Sequence, residues 1–143
     1  MWPAEAGFDL TRPGEPRQTV LAADIAFVRA ARVPPPVEGF APVVPDLVVE
    51  TASPSQSRPE MDGKARRWLE RGVPLVWVAW PARRRIDEWR QGEDAPHPLR
   101  PGDTLDGREI VAGFSVPVAD LFQWRIKSAD HERGRGATVK QAV

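Results

Sequence analysis

Three acidic residues and one lysine have the types and spacing that metal-assisted chemistry requires. Asp24 interrupts an apolar run, Asp46 and Glu50 stand at the two ends of a second apolar run, and Lys64 follows on a helical segment. A carboxylate within an apolar strand is costly unless a cation, a metal or several hydrogen-bond donors compensate it. On adjacent strands, Asp24 can approach Glu50 or Asp46 closely enough to share a divalent cation.

These residues together predict hydrolysis of a phosphodiester bond. Asp46 and Glu50 share one face of a strand but are separated by about 13 Å, so they cannot both bind one metal ion closely. Lys64 lies at the margin of the apolar stripe of its helix, where its ammonium group can reach toward Glu50. A metal ion held by two carboxylates polarises a phosphodiester, and a nearby lysine orients water or stabilises phosphoryl charge.

Each of these residues also has a simpler interpretation. Asp46 follows a proline and can cap the start of a strand, Glu50 can face solvent, and Lys64 can pair with Glu60 on a solvated helix face. The burial cost favours a functional role for Asp24. The tryptophans in regular structure are more simply explained by core or hairpin packing than by base stacking; they are Trp68, Trp77, Trp80 and Trp89.

The pattern of apolar residues and prolines predicts one domain over residues 19–124. Residues 1–18 are predicted to form an irregular lead-in, and residues 125–143 are predicted to form a disordered polar tail. The run at 20–28 predicts a central strand covered on both faces, and the run at 45–50 a short buried strand. The other predicted elements are a helix over residues 61–72, a strand at 74–80, a hairpin strand at 84–90, an edge strand around Leu99 and a helical turn at 118–122.

Composition excludes several classes of protein. A chain of 143 residues is too short for a two-domain cofactor enzyme, and 20 basic residues balance 20 acidic ones, so overall charge demands neither nucleic acid nor membrane. Cysteine is absent, and His97 and His131 lie far apart, which argues against thiolate metal sites, histidine zinc sites and a Ser-His-Asp triad. No signal segment or membrane span is found in the sequence, so a cytoplasmic location without a membrane partner is expected.

Several segments together resemble a known family. PDLVVETASPS at 45–55 is followed by DGK at 62–64, Trp68-Leu69 and GVPLVWV at 72–78. This arrangement closely resembles the Uma-two family of restriction-endonuclease-like proteins in the PD-(D/E)XK nuclease superfamily. The similarity extends upstream to DIAFV at 24–28 and downstream to Phe122, and it covers roughly residues 20–123.

The resemblance implies an α/β (α+β) fold in which helices flank a mixed β-sheet. It implies that Asp24 and Glu50 are ligands of Mg²⁺ or Mn²⁺, that Lys64 is the lysine moved from the strand to the helix, and that Asp46 is a supporting acid. Only 23 residues precede Asp24. The first helix and strand or strands of the family core are therefore expected to be missing, as in an N-terminally truncated relative.

Two functions follow from the resemblance. The first is a metal-dependent endonuclease that hydrolyses DNA. It would contact the DNA through residues 58–90, which contain nine Lys or Arg and five Asp or Glu. The second is a catalytically inactive relative that serves as a binding or assembly module, including assembly with another copy of the chain as a homo-oligomer. Divalent-metal-dependent cleavage separates the two.

Overall fold

A five-stranded mixed sheet forms the centre of the molecule. The structure is a computed structural model that describes residues 7–122. The strand order in the central sheet is β3-β4-β5-β6-β7, and two small two-stranded sheets pair β1 with β2 and β8 with β9. The elements are β1 Gly7–Asp9, β2 Val20–Ala22, β3 Ile25–Phe27, β4 Leu47–Thr51, α1 Arg58–Glu70, β5 Leu75–Trp80, β6 Arg85–Arg90, β7 His97–Leu99, β8 Thr104–Asp106 and β9 Ser115–Pro117, with short 3₁₀ helices at Ala30–Arg32 and Pro81–Arg83.

The β4-α1-β5 unit sets the direction of the central strands. β4 and β5 are parallel, and α1 makes the crossover between them, whereas β3, β6 and β7 join by antiparallel pairing. Since both parallel strands run the same way, their carboxyl ends, Thr51 and Trp80, lie at the same edge of the sheet. The structure thus places the loops after β4 and β5 side by side.

Local sequence signals explain where α1 begins and ends. The Ser57 hydroxyl accepts the Glu60 N–H at 3.3 Å, and the Glu60 carboxylate accepts the Ser57 N–H at 3.4 Å, forming a capping box. Gly72 follows the helix with φ of +97°, a conformation that glycine adopts without strain. The buried face of the helix consists of Met61, Ala65 and Trp68.

Two apolar clusters cover the two faces of the central sheet. One packs α1 and the β1–β2 hairpin against Val48, Val76 and Val78. The other packs the β8–β9 hairpin and the helical residues 118–122 against Leu47, Leu75 and related side chains. Both faces of the central sheet are therefore buried, which explains why the sequences of β4 and β5 are nearly continuous apolar runs. The predicted fold class, a mixed sheet flanked by helices, is confirmed.

Two of the sequence predictions about the first part of the chain are wrong. Residues 7–9 form a strand that pairs with β2, because Phe8 is fully buried in the core instead of belonging to an irregular lead-in. The single strand predicted at 20–28 is two strands in two different sheets. Asp24 is exposed at the bend between them, so it is not buried within a strand as the apolar run suggested.

The later predictions agree better with the structure. The predicted strands around residues 45–50, 74–80, 84–90 and Leu99, the helix within residues 61–72 and the helical turn at 118–122 are confirmed, with shifts of a few residues. The hairpin of β8 and β9 was not predicted, because each strand is only three residues long and lies among turns. The predicted tail at 125–143 lies outside the described residues. Within residues 7–122, no helix has the length and apolar character needed to cross a bilayer.

Candidate active site

The pairing of β3 with β4 brings Asp24 and Glu50 together. Ile25 pairs with Val49 in this antiparallel register, so Asp24, one residue earlier, stands opposite Glu50, one residue later. Residues opposite each other in an antiparallel pair place their side chains on the same face of the sheet. The Thr51 N–H donates to Asp24 Oδ2 at 2.7 Å, which fixes the acid at the carboxyl end of β4.

Glu50 is a buried acid with little compensation for its charge. It is 5% exposed, and the Trp68 indole N–H donates to its Oε1 at 3.1 Å. Burial raises the pKa of Glu50 from 4.5 to about 7, and the neighbouring Asp24 carboxylate adds to the rise. The Trp68 hydrogen bond and the Lys64 charge act in the opposite direction on this pKa. Glu50 therefore exchanges its proton near neutral pH.

Lys64 lies on α1 one turn before Trp68, the residue that holds Glu50. Its side chain is exposed, and its positive charge is close enough to Glu50 to lower that residue's pKa. The i, i+4 spacing of Lys64 and Trp68 directs both side chains to the same side of the helix. The structure thus brings together Asp24, Glu50 and Lys64.

Asp46 is separate from this group. It precedes β4 at the end opposite to Glu50, is 6% exposed, and accepts the Arg29 N–H at 2.7 Å. The Arg32 guanidinium forms an ion pair with its other oxygen at 2.5 Å. These bonds tie the segment after β3 to the start of β4, so Asp46 shapes the sheet without joining Asp24 and Glu50.

The donor set of Asp24 and Glu50 suits a hard cation. Among residues 7–122, no group of three or more His, Cys, Asp or Glu side chains is placed to hold a metal ion. Mg²⁺ commonly binds through one or two carboxylates and takes its remaining ligands from waters and substrate phosphate. Two carboxylates beside a lysine therefore fit Mg²⁺ or Mn²⁺ better than a metal that needs a full protein cage.

A cleft opens next to the two acids at the carboxyl ends of β4 and β5. Its volume is about 600 Å³, and Asp24 and Thr51 belong to its lining. The loop at 53–56 forms one wall and the Pro81–Arg83 turn the other. Ligands of open α/β sheets bind at this end of the strands, because the loops there diverge and leave space.

Comparison with known proteins identifies the family of this chain. A family profile named Uma2 and described as "Putative restriction endonuclease" matches residues 3–119. The chain belongs to the Uma2 family. The resemblance inferred from the segments around Glu50 and Lys64 is thereby confirmed.

The Uma2 chain is also similar in fold to a solved structure. This is the crystal structure of "a putative nuclease belonging to DUF820 from Anabaena variabilis", with 19% sequence identity and a TM-score of 0.68. The match covers 85% of the Uma2 chain and 66% of the other chain, so the Uma2 chain spans about two thirds of the length of that protein. A search of curated proteins found no match.

Sequence reasoning missed how the tryptophans of this Uma2 chain are used. The four tryptophans expected in regular structure, Trp68, Trp77, Trp80 and Trp89, are buried as expected for core residues, but three of them donate their indole N–H to a buried acid. Trp68 donates to Glu50, Trp77 to Glu88 at 3.0 Å and Trp80 to Asp87 at 2.9 Å. Asp87 and Glu88 are adjacent acids inside a strand, so their side chains point to opposite faces of the sheet. Burial of both acids requires a hydrogen-bond donor on each face, and this pattern is the sequence signal for the tryptophan donors.

Proposed function

We propose that this Uma2 chain hydrolyses phosphodiester bonds of DNA, using Mg²⁺ or Mn²⁺ held by Asp24 and Glu50, with Lys64 beside them. The observation that supports this most directly is the strand register that sets Asp24, a lining residue of the cleft, opposite Glu50. Family membership supports nucleic acid as the substrate, since the family is described as "Putative restriction endonuclease". The fold alone does not choose the chemistry, so the residues of the site support the proposed function.

The proposed roles follow from the contacts of each side chain. The Thr51 N–H holds Asp24 through Oδ2, and Trp68 holds Glu50 through Oε1, so Asp24 Oδ1 and Glu50 Oε2 are the oxygens assigned to the cation. When bound, Mg²⁺ supplies Lewis-acid polarisation of the phosphodiester. Lys64 is assigned to the negative charge that grows on the phosphoryl oxygens during water attack.

The protonation of Glu50 controls when the site can bind a cation. Its pKa of about 7 means that the carboxyl holds a proton below neutral pH in the metal-free protein. Because a carboxylate ligand must be deprotonated, cation binding releases this proton, and cation affinity rises with pH through the neutral range. The proposed activity therefore increases from acid toward neutral pH.

Cleavage of supercoiled plasmid DNA tests the proposal. The protein is incubated with Mg²⁺, Mn²⁺ or EDTA, alongside Glu50→Ala and Lys64→Ala. We expect metal-dependent nicking by the natural chain and a loss of at least about a hundredfold in both variants. Glu38→Ala and Arg67→Ala are matched controls, because Glu38 is an exposed acid outside the cleft lining and Arg67 is an exposed cation on α1.

Two results would overturn the proposal. One is nicking that persists in Glu50→Ala at the rate of the controls, which would trace the activity to another site or to a contaminant. The other is DNA binding without any metal-dependent nicking. That second result would establish the chain as the non-cleaving binding module that is the alternative function.

A further inference from the structure

The lining of the cleft beside the acids includes a cation, Arg83, as well as Asp24. Arg83 lines the cleft on the Pro81–Arg83 turn, whereas Asp24 lines it next to Glu50. The ion pairs formed within residues 7–122 do not include Arg83. An exposed guanidinium without a carboxylate partner is suited to a phosphate, which it can bind through two parallel hydrogen bonds.

The Trp80 ring makes a cation–π contact with the Arg83 guanidinium. The guanidinium carbon of Arg83 lies 5.5 Å from the centroid of the Trp80 ring, and that of Arg85 lies 5.8 Å from it. The buried Asp87 accepts the Trp80 indole N–H at 2.9 Å and pairs with Arg85 Nε at 3.1 Å. The fully buried Asp87 thus fixes the Trp80 ring, and this ring stacks against the Arg83 guanidinium. Because Arg83 is already held in place, it loses less conformational entropy when it binds an anion.

The rest of the lining combines apolar and polar groups. Pro54, Pro81 and Ala82 offer apolar surface, while Ser53 and Gln56 offer hydrogen-bonding groups. A volume of about 600 Å³ falls within the range of roughly 300–1,000 Å³ found for pockets that hold one small ligand. A nucleotide has the matching parts, since its base and sugar are flat or apolar on their faces and its phosphate is an anion.

We propose that the cleft holds one unpaired nucleotide of DNA next to the cleaved phosphodiester, with the phosphate of that nucleotide bound by Arg83. The identity of this ligand rests on the proposed nuclease function. A cleft of this size accepts a single nucleotide and not a base pair, so the bound nucleotide must have left a duplex or belong to a single strand. The substrate class that follows is single-stranded DNA or the frayed end of a duplex.

Binding measured without metal tests this inference separately from cleavage. Fluorescence anisotropy in EDTA compares a short labelled oligothymidylate with the same strand in a duplex. We expect the single strand to bind more tightly, and Arg83→Ala to weaken that binding about tenfold. The same variant should reduce the slope of log K against log salt by about 0.7, the value for one lost phosphate contact on a single strand.

Two further variants separate charge from shape. Ala82→Trp leaves the charge unchanged but fills the cleft, so we expect it to weaken single-strand binding as well. Arg17→Ala is the matched control, because Arg17 is exposed and does not line the cleft; its affinity should equal that of the natural chain. Thermal unfolding of each variant establishes that it is folded, and all three positions are exposed.

The inference fails if Arg83→Ala and Arg17→Ala bind the single strand alike in affinity and salt slope. It also fails if the duplex binds as tightly as the single strand, or if Ala82→Trp has no effect. These outcomes are independent of hydrolysis. A chain that nicks DNA through Glu50 but shows no Arg83 effect would retain the proposed function and lose only this cleft assignment, whereas an Arg83 effect without nicking would support the cleft in a non-cleaving module.

Discussion

The two ends of β4 each carry a buried acid, and the protein treats them in opposite ways. Asp46 is 6% exposed and receives a backbone N–H from Arg29 and the guanidinium of Arg32. Glu50 is 5% exposed and receives one neutral indole N–H, with a second carboxylate, that of Asp24, beside it. Burial is nearly equal, so the difference lies in the compensation.

This difference is the one we expect between an acid that stabilises the fold and an acid that serves the proposed site. A paired and hydrogen-bonded carboxylate repays its desolvation, whereas an unpaired one keeps a raised pKa and destabilises the folded state when it ionises. Functional sites commonly retain such unfavourable groups. In this Uma2 chain the uncompensated acid is the one that lies beside the cleft.

The two buried acids of β6 resemble Asp46 and not Glu50. Asp87 pairs with Arg85, and Glu88 pairs with Arg90, while each also accepts an indole N–H. Both acids are less than 3% exposed. Compensation by arginine is thus the general rule for buried acids in the described chain, and Glu50 is the exception.

The largest effect is expected at the compensated end. Asp46→Ala leaves Arg32 and the Arg29 N–H without their acceptor, so we expect the free energy of unfolding to fall by about 3 kcal/mol. Urea unfolding at neutral pH measures it. Glu38→Ala, at an exposed acid, should change stability by less than about 0.5 kcal/mol. Equal stability of the two variants would show that Asp46 is not an anchor.

A smaller effect of opposite sign is expected at Glu50. The folded chain keeps a proton on Glu50 up to a pKa of about 7, whereas the ordinary value is 4.5. Between these pH values the folded state binds more protons than the unfolded state, so its stability falls as pH rises. Glu50→Gln removes this loss, and we expect it to be about 2 kcal/mol more stable than the natural chain near pH 8 in EDTA.

The gain in Glu50→Gln should disappear near pH 4, where Glu50 is protonated in both states. Urea unfolding over this pH range provides the measurement. A variant that is less stable than the natural chain near pH 8 would mean that the Glu50 carboxylate is well compensated. The statement that Asp46 is compensated and Glu50 is not would then be wrong.

The smallest effect concerns Trp68, the one residue within 7–122 that donates a hydrogen bond to the Glu50 side chain. Trp68→Phe keeps most of the ring but removes the indole N–H, so the pKa of Glu50 should rise further, by about one unit. The shift is read from the pH at which the stability difference between Trp68→Phe and Trp68→Phe/Glu50→Gln stops increasing, because this difference levels off once Glu50 is ionised in the folded state. Trp77→Phe is the control, because its indole serves Glu88 on the other face. An equal shift in both variants would show that the Trp68 indole N–H does not lower the pKa of Glu50.

Much of the fold and part of the site could be predicted from local patterns. The apolar runs at β4 and β5, the capping box of α1 and the proline boundaries depend on residues close together in the chain, so the periodicity reveals them. The split of residues 20–28 between two sheets could not be predicted in this way. An apolar run does not show where a strand leaves one sheet for another, and Asp24 lies at that point.

The sequence by itself determined which residues were candidates, because Asp24, Glu50 and Lys64 are recognisable from their types, their spacing and the signature around them. Only the tertiary structure decided that these three meet while Asp46 is held elsewhere by Arg32. It also decided that Glu50 has Trp68 as its donor, 18 residues away in the chain, and that no arginine of residues 7–122 pairs with it. The state of a buried acid depends on neighbours that the fold supplies from distant segments, and local sequence does not encode those neighbours.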